Sequence, residues 1–294
     1  MTPLLIAFPG HAAFARSLAQ LMGVEHTEMS VHRFPDGESL PRLPSQLEGR
    51  HVAFVCPLDR PDEKVLPLLF AARTARELGA ARVGLVAPYL AYMRQDRRFH
   101  DGESVTSIHF AELISRHFDW LAAVDPHLHR HRSLDAIYAI PAVACHAAPA
   151  IAQWIAAHVP QPVLVGPDEE SRQWVADIAE RIGAPWTRFA KTRGGDKAVG
   201  ETLADARLLL GRSPVVVDDI LSTGRTVLEA ARLLRDHDAD AVTCVAVHAV
   251  FAGDAADQLA RHQIRIVTTN TIPHPSNAID IAADLAAGVG QLLS

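Results

Sequence analysis

Val215-Val216-Val217-Asp218-Asp219-Ile220-Leu221-Ser222-Thr223-Gly224-Arg225-Thr226-Val227 reads as one unit in three parts. Three β-branched residues closed by two acids predict a buried parallel strand with polar groups at its carboxyl end. The apolar spacing from Val227 to Leu234 predicts a helix. Between them, Ser222, Thr223, Gly224 and Thr226 are small, hydroxylated or without a side chain. Successive backbone N–H groups can therefore turn towards one anion, and the helix amino terminus adds unpaired N–H groups and partial positive charge. The loop predicts a phosphate cradle.

Asp218 and Asp219 stand at the strand's carboxyl end, the ligand edge of an open α/β sheet, and acceptor-only carboxylates there suit the vicinal hydroxyls of a sugar. Phosphate and diol in one loop point to a ribose phosphate. The bland alternative is a surface loop with a helix cap. The pattern acid-acid-x-x-Ser-Thr-Gly-x-Thr resembles the phosphoribosyl-pyrophosphate (PRPP) motif of type I phosphoribosyltransferases and PRPP synthetases.

The chain has 294 residues, enough for two domains of ordinary size, and 49% hydrophobic with 21% charged residues is the composition of a globular protein with ample core. A net charge of −6 with no lysine- or arginine-rich run argues against nucleic acid as a partner. Cys56, Cys145 and Cys244 have no paired spacing and read as reduced thiols in a cytoplasmic protein. No apolar run approaches the roughly 20 residues of a membrane helix, and Leu4 to Phe8, ended by Pro9 and Gly10, reads as a strand rather than a signal peptide.

Strands and helices alternate along the chain. Strands are expected at 51–56, 82–87, 120–124, 163–166, 186–190, 214–219, 242–248 and 265–269, and helices at 12–21, 62–78, 105–117, 147–158, 170–182, 226–236 and 281–292. Val31 to Ser39 reads as a hairpin turn around Asp36-Gly37. The fold class is α/β, with two similar domains, 1–145 and 146–294, each a mainly parallel sheet flanked by helices. The two halves suggest a weak internal duplication, and the absence of a low-complexity linker suggests a tight interface between them.

Four further segments narrow the resemblance to the ribose-phosphate pyrophosphokinase (PRPP synthetase) family. Phe34-x-Asp36-Gly37-Glu38 is similar to the loop that receives the adenine of ATP from a neighbouring subunit; Phe34 offers a stacking face and the acids accept from an exocyclic amine. A second Asp-Gly-Glu-Ser, Asp101 to Ser104, lacks the phenylalanine and is not assigned to adenine. Arg94-Gln95-Asp96-Arg97 resembles the family's ATP-side element, where an arginine fork pairs with phosphate oxygens; the lesser alternative is a solvated charged helix start, which the preceding Pro-Tyr-x-x-Tyr weakens further. Asp125-Pro126-His127 stands where the family has Asp-Leu-His, which implies His127 beside the metal and the ATP phosphates. The departures are Pro126, and Arg130 and Arg132 where many members carry glutamine. His127, His129 and His131 share one face of an extended segment and leave zinc as an alternative.

Pro167-Asp168 resembles the Pro-Asp-x-Gly-Gly element, with Glu170 and Ser171 replacing the glycines, and implies Asp168 as a Mg²⁺ ligand; as a plain helix-terminal charge it needs no metal. Lys191-x-Arg193 before Gly194-Gly195 is similar to the family's mobile catalytic loop. The resemblance implies that Lys191 and Arg193 are catalytic, and that Phe34, Asp36, Gly37, Glu38, Arg94, Gln95, Asp96 and His127 bind ATP. It further implies that Asp218, Asp219, Ser222, Thr223, Gly224, Arg225 and Thr226 bind ribose 5-phosphate, that His127 and Asp168 hold Mg²⁺, and that the protein is a homo-oligomer. Two alternatives stay open: a phosphoribosyltransferase that consumes PRPP, and a catalytically silent regulatory subunit.

Overall fold

The computed structural model describes residues 3–128, 130–168, 171–193, 199–237, 239 and 241–293, with backbone alone for 190–193 and 199–202. The chain divides into two compact units, 1–146 with 282–294, and 147–281. The first contains β1 (Pro3–Ala7), α1 (Ala12–Met22), β2 (Glu25–Glu28), β3 (Ser30–Arg33), β4 (Ser39–Arg42), β5 (His51–Val55), α2 (Pro61–Glu77), β6 (Arg82–Ala87), α3 (Thr106–His117), β7 (Trp120–Val124) and β8 (Ala142–Cys145). The second contains α4 (Ala148–His158), β9 (Pro162–Gly166), α5 (Arg172–Ile182), β10 (Trp186–Arg193), β11 (Val199–Leu203), β12 (Ser213–Leu221), α6 (Arg225–Arg235), β13 (Val242–Ala249), α7 (Ala255–Arg261), β14 (Ile264–Thr269) and β15 (Asn277–Ile279). A last helix, α8 (Ala282–Leu293), returns to the first unit.

The α/β class is as expected. In the first unit the sheet order is β2-β1-β5-β6-β7-β8, with every neighbouring pair parallel. Helices cover such a sheet, so its strands can be apolar throughout; β7, Trp-Leu-Ala-Ala-Val, is buried at all five positions. Gly84 of β6 pairs with Trp120 of β7, and a Cβ at Gly84 would fall 1.9 Å from the indole. The glycine is the space the tryptophan occupies.

The second unit's sheet runs β11-β10-β9-β12-β13-β14-β15, parallel except for the β10–β11 pair. Numbered by chain order within each unit, the six parallel strands stand 2-1-3-4-5-6 in both. Each unit also carries an antiparallel hairpin at this point of the chain: β3–β4 follows the second strand in one, and in the other the second strand, β10, itself runs on to pair with β11. The two halves are one topology used twice, as the repeated element pattern suggests.

Several elements differ from expectation. The closing helix was expected with the C-terminal half; instead α8 packs on α1, β7 and β8. Its Leu285 and Val289 are fully buried there. β10 extends three residues beyond its expected end at Ala190 and so includes Lys191 and Arg193. The edge strands β2, β8, β11 and β15 and the short helix α7 were not anticipated, because polar or very short segments carry little periodicity.

Candidate active site

β12 passes through Asp218 and Asp219 and continues to Leu221, held on β13 by the register Asp218 to Ala246 and Ile220 to His248. The loop beyond is supported from the neighbouring connection. Phe251 N–H donates to Leu221 C=O at 2.9 Å and Ala252 N–H to Ser222 C=O at 3.1 Å. Gly224 is the N-cap of α6 with φ 70°, and a Cβ there would lie 3.2 Å from Leu259 Cδ1. Left-handed backbone and close packing both call for glycine at this position. Because α6 has no side-chain cap and no acid in its first turn, its amino-terminal charge is not offset locally. Thr223, Arg225 and Thr226 are exposed and Ser222 is half-buried.

Asp218 is held well above the ordinary carboxylate range by burial, then by the charge of Asp219 and more distantly by Asp168. Asp219 N–H donates to Asp218 Oδ1 at 2.9 Å, a smaller pull the other way. Three carboxylates thus gather their charge at the carboxyl ends of β9 and β12. Between these strands the sheet order reverses, which is where open α/β sheets form their ligand crevice.

Asp168 has a structural use as well. Its Oδ1 accepts from Ser171 N–H at 2.9 Å, while Ser171 Oγ donates to Asp168 C=O at 2.8 Å, closing the turn that opens α5. Ser171, a departure from the glycine of the resembling motif, is therefore put to work in this turn. Glu170 lies outside the described residues.

Lys191 and Arg193, expected on a loop, lie on the backbone of β10. β10 pairs with β9 only as far as Arg188 opposite Gly166, and from Phe189 to Arg193 with β11 alone. At ~3.3 Å per residue, those positions run about 16 Å past the sheet register. The correction is a two-stranded ribbon in place of a loop; Gly194, Gly195 and Asp196 lie outside the described residues.

In the first unit, the turn between β3 and β4 is closed by Phe34 N–H to Glu38 C=O at 2.9 Å, with Gly37 at φ 93°. Asp36 Oδ1 accepts from Glu38 N–H at 3.1 Å. Phe34 is 41% exposed for so large a ring, with His32 edge-on at 4.5 Å. Asp36 and Glu38 are exposed too. The carboxylate of Glu103, in the second Asp-Gly-Glu-Ser, accepts from Phe99 and His100 N–H groups, so that repeat caps its own loop.

Arg94 and Gln95 are exposed after β6, and His127 is half-buried after the adjacent β7. The sheet therefore brings these three to one edge. Asp96 differs: its side chain is 1% exposed, and both oxygens accept from Arg130 Nη1 at 2.9 Å. Asp125, with φ 34°, holds His146 Nδ1 at 2.9 Å. Among the described residues no group of three His, Cys, Asp or Glu side chains could enclose a metal, and His129 of the zinc alternative lies outside them.

One cluster had no signal in the sequence. At the carboxyl ends of β1 and β5, Lys64 Nζ donates to Asp59 Oδ1 at 2.6 Å and to Pro57 C=O at 2.8 Å. His11 beside them has its pKa lowered to about 4, by burial first and then by Lys64. The counterpart, in this unit, of the cradle position is thus filled by an internal ion pair.

Residues 4–117 match the N-terminal domain of ribose phosphate pyrophosphokinase, and residues 133–284 the phosphoribosyl transferase domain. The ribose-phosphate pyrophosphokinase of Methanopyrus kandleri is 33% identical over 282 residues, covering 94% of this chain and 95% of that protein. This chain belongs to the ribose-phosphate pyrophosphokinase family. The ribose-phosphate pyrophosphokinase of Saccharolobus solfataricus is also 33% identical, over 87% of this chain and 88% of its own. Phosphoribosylpyrophosphate synthetase from Mycobacterium smegmatis, at 22% identity, has the same fold, with a TM-score of 0.86 over 100% of this chain and 99% of that one. As a family member the chain is an enzyme, and its match begins in the half that a phosphoribosyltransferase of the second domain alone would lack. No described helix is long and apolar enough to cross a membrane.

Proposed function

We propose that this enzyme transfers the β,γ-diphosphoryl group of Mg-ATP to O1 of ribose 5-phosphate, giving PRPP and AMP. The O1 oxygen bonds to the β-phosphorus as the bond from that phosphorus to the α–β bridging oxygen breaks. AMP leaves with the electron pair and the hydroxyl proton goes to solvent. The observation that carries this reading is the loop from Asp218 to Thr226: two carboxylates, hydroxyls and an uncapped helix terminus at the point where the sheet order reverses. The 5-phosphate would lie on Ser222 to Thr226 and the sugar hydroxyls on Asp218 and Asp219.

ATP would use Phe34, Asp36, Gly37 and Glu38 for its base, and Arg94, Gln95 and His127 for its phosphates. Lys191 and Arg193, on the ribbon, would place positive charge where the phosphoryl oxygens gain negative charge; phosphoryl transfer depends mainly on such placement. Asp168 suits Mg²⁺, because Ser171 engages only its Oδ1 and this ion takes one or two carboxylates together with substrate phosphates. Asp168 and His127 would hold it, and it would neutralise the triphosphate. If the Phe34 turn serves a neighbouring subunit, the active unit is at least a dimer, which light scattering reads.

The deciding experiment incubates the purified protein with ATP, ribose 5-phosphate and Mg²⁺ and resolves the products. AMP and PRPP in equal amounts are expected. Formation of ADP, or no AMP while PRPP and a nucleobase yield pyrophosphate, overturns the proposal.

A further inference from the structure

The connection from β6 to α3 is clamped on both sides of a very short span. At its start Tyr92 has φ 64°, a left-handed conformation uncommon for a residue with a bulky side chain. Its hydroxyl donates to the Asp62 carboxylate on α2, and its ring lies on Phe110 of α3 with centroids 4.9 Å apart. Met93 follows, 2% exposed. At the far side Asp96 is buried against Arg130. Between the clamps Gln95 is fixed through its backbone, its N–H donating to Tyr92 C=O at 3.1 Å and its C=O accepting from Ser107 N–H at 3.3 Å. Only the side chains of Arg94 and Gln95 are left exposed in this span.

Arg130 comes from another connection, the one after β7 that also carries His127, and its side chain is 38% exposed. One guanidinium nitrogen placed equally from both carboxylate oxygens thus joins the two loops that border the same sheet edge. A carboxylate this deeply buried depends on its partner, since the charge has no water to fall back on. We propose that Arg130 is a positioning residue for the nucleotide: through Asp96 it fixes Arg94 and Gln95 on one loop relative to His127 on the other, without itself touching the reacting atoms. This rests on the reading of Arg94, Gln95 and His127 as ATP contacts.

The experiment compares Arg130→Gln, Asp96→Asn and the double variant in the full chain, measuring kcat and KM for each substrate, ATP affinity by calorimetry without ribose 5-phosphate, and the thermal midpoint. Removing one partner of a buried charged pair acts mostly on the held state, so Arg130→Gln is expected to weaken ATP binding about tenfold while KM for ribose 5-phosphate stays within about twofold. The double variant replaces the ion pair by two amides that can still hydrogen-bond, and recovers ATP affinity to within about threefold of the parent. Unchanged ATP affinity in a folded Arg130→Gln protein overturns the inference. So does a parallel loss for both substrates that tracks a fall in thermal midpoint, which is what a merely structural pair gives. A parent protein that binds ATP but releases no AMP refutes the reaction alone, since calorimetry still reads the loop; one that binds no ATP refutes both.

Discussion

Asp218 carries a cost that its neighbours explain. Burial and the adjacent Asp219 raise its pKa, so the folded chain holds a proton there that the unfolded chain releases at lower pH. Stability therefore falls as pH rises from the unfolded carboxylate value through the raised folded one, and stays reduced at neutral pH. Asp218→Asn removes that cost and is expected to raise the thermal midpoint at pH 7.5 by about 2 °C or more, a gain that shrinks as pH falls towards 4. Scanning calorimetry across pH checks it, and the same variant should lose ribose 5-phosphate binding. Gly224→Ala is the converse case, a small change with two penalties. It puts a Cβ at φ 70° and 3.2 Å from Leu259 Cδ1, and should cost about 1–2 kcal/mol by denaturant titration and shift the loop. Both residues were legible in the sequence because the strand, the acids and the glycine are consecutive. Asp96 was not. Its burial is set by Arg130, 34 residues away, and nothing local distinguishes it from a solvated charge.

The strands of each parallel core were legible because both faces are covered and the apolar run has nowhere else to go. The ribbon of β10 and β11 was not, since Lys191-Thr192-Arg193 on an edge alternates no apolar residue and reads as a loop. The difference matters for catalysis. A cation on a hydrogen-bonded ribbon, with Lys191 opposite Glu201 in the register, starts from a more ordered backbone than one on an open loop. Lys191→Ala is expected to keep ribose 5-phosphate affinity within about threefold and to reduce turnover by a hundredfold or more, roughly 3 kcal/mol of lost charge stabilisation. Calorimetry and the AMP-release assay separate the two quantities, and undiminished turnover would remove Lys191 from the mechanism.

The use of one topology twice was visible as a repeating strand and helix pattern, yet the sequence offered no means of telling where the last helix docks. An apolar stripe specifies that a helix packs, not against what. In the structure α8 closes the first unit, and a Cβ at Gly288 would lie 2.3 Å from Cys145 Sγ and 3.2 Å from Val143 Cγ1, on β8. Gly290, on the same helix, is exposed, with nothing within 4 Å of such an atom. The two glycines make an internal comparison. Alanine is favoured over glycine in a helix interior by about 1 kcal/mol, so Gly290→Ala should raise the thermal midpoint by about 2–4 °C. Gly288→Ala gains the same propensity but must displace β8, and overpacking of this kind costs about 1–3 kcal/mol. Its midpoint is therefore expected to fall, or at best stay level, while that of Gly290→Ala rises. Equal stabilisation by both would mean that α8 does not sit on β8.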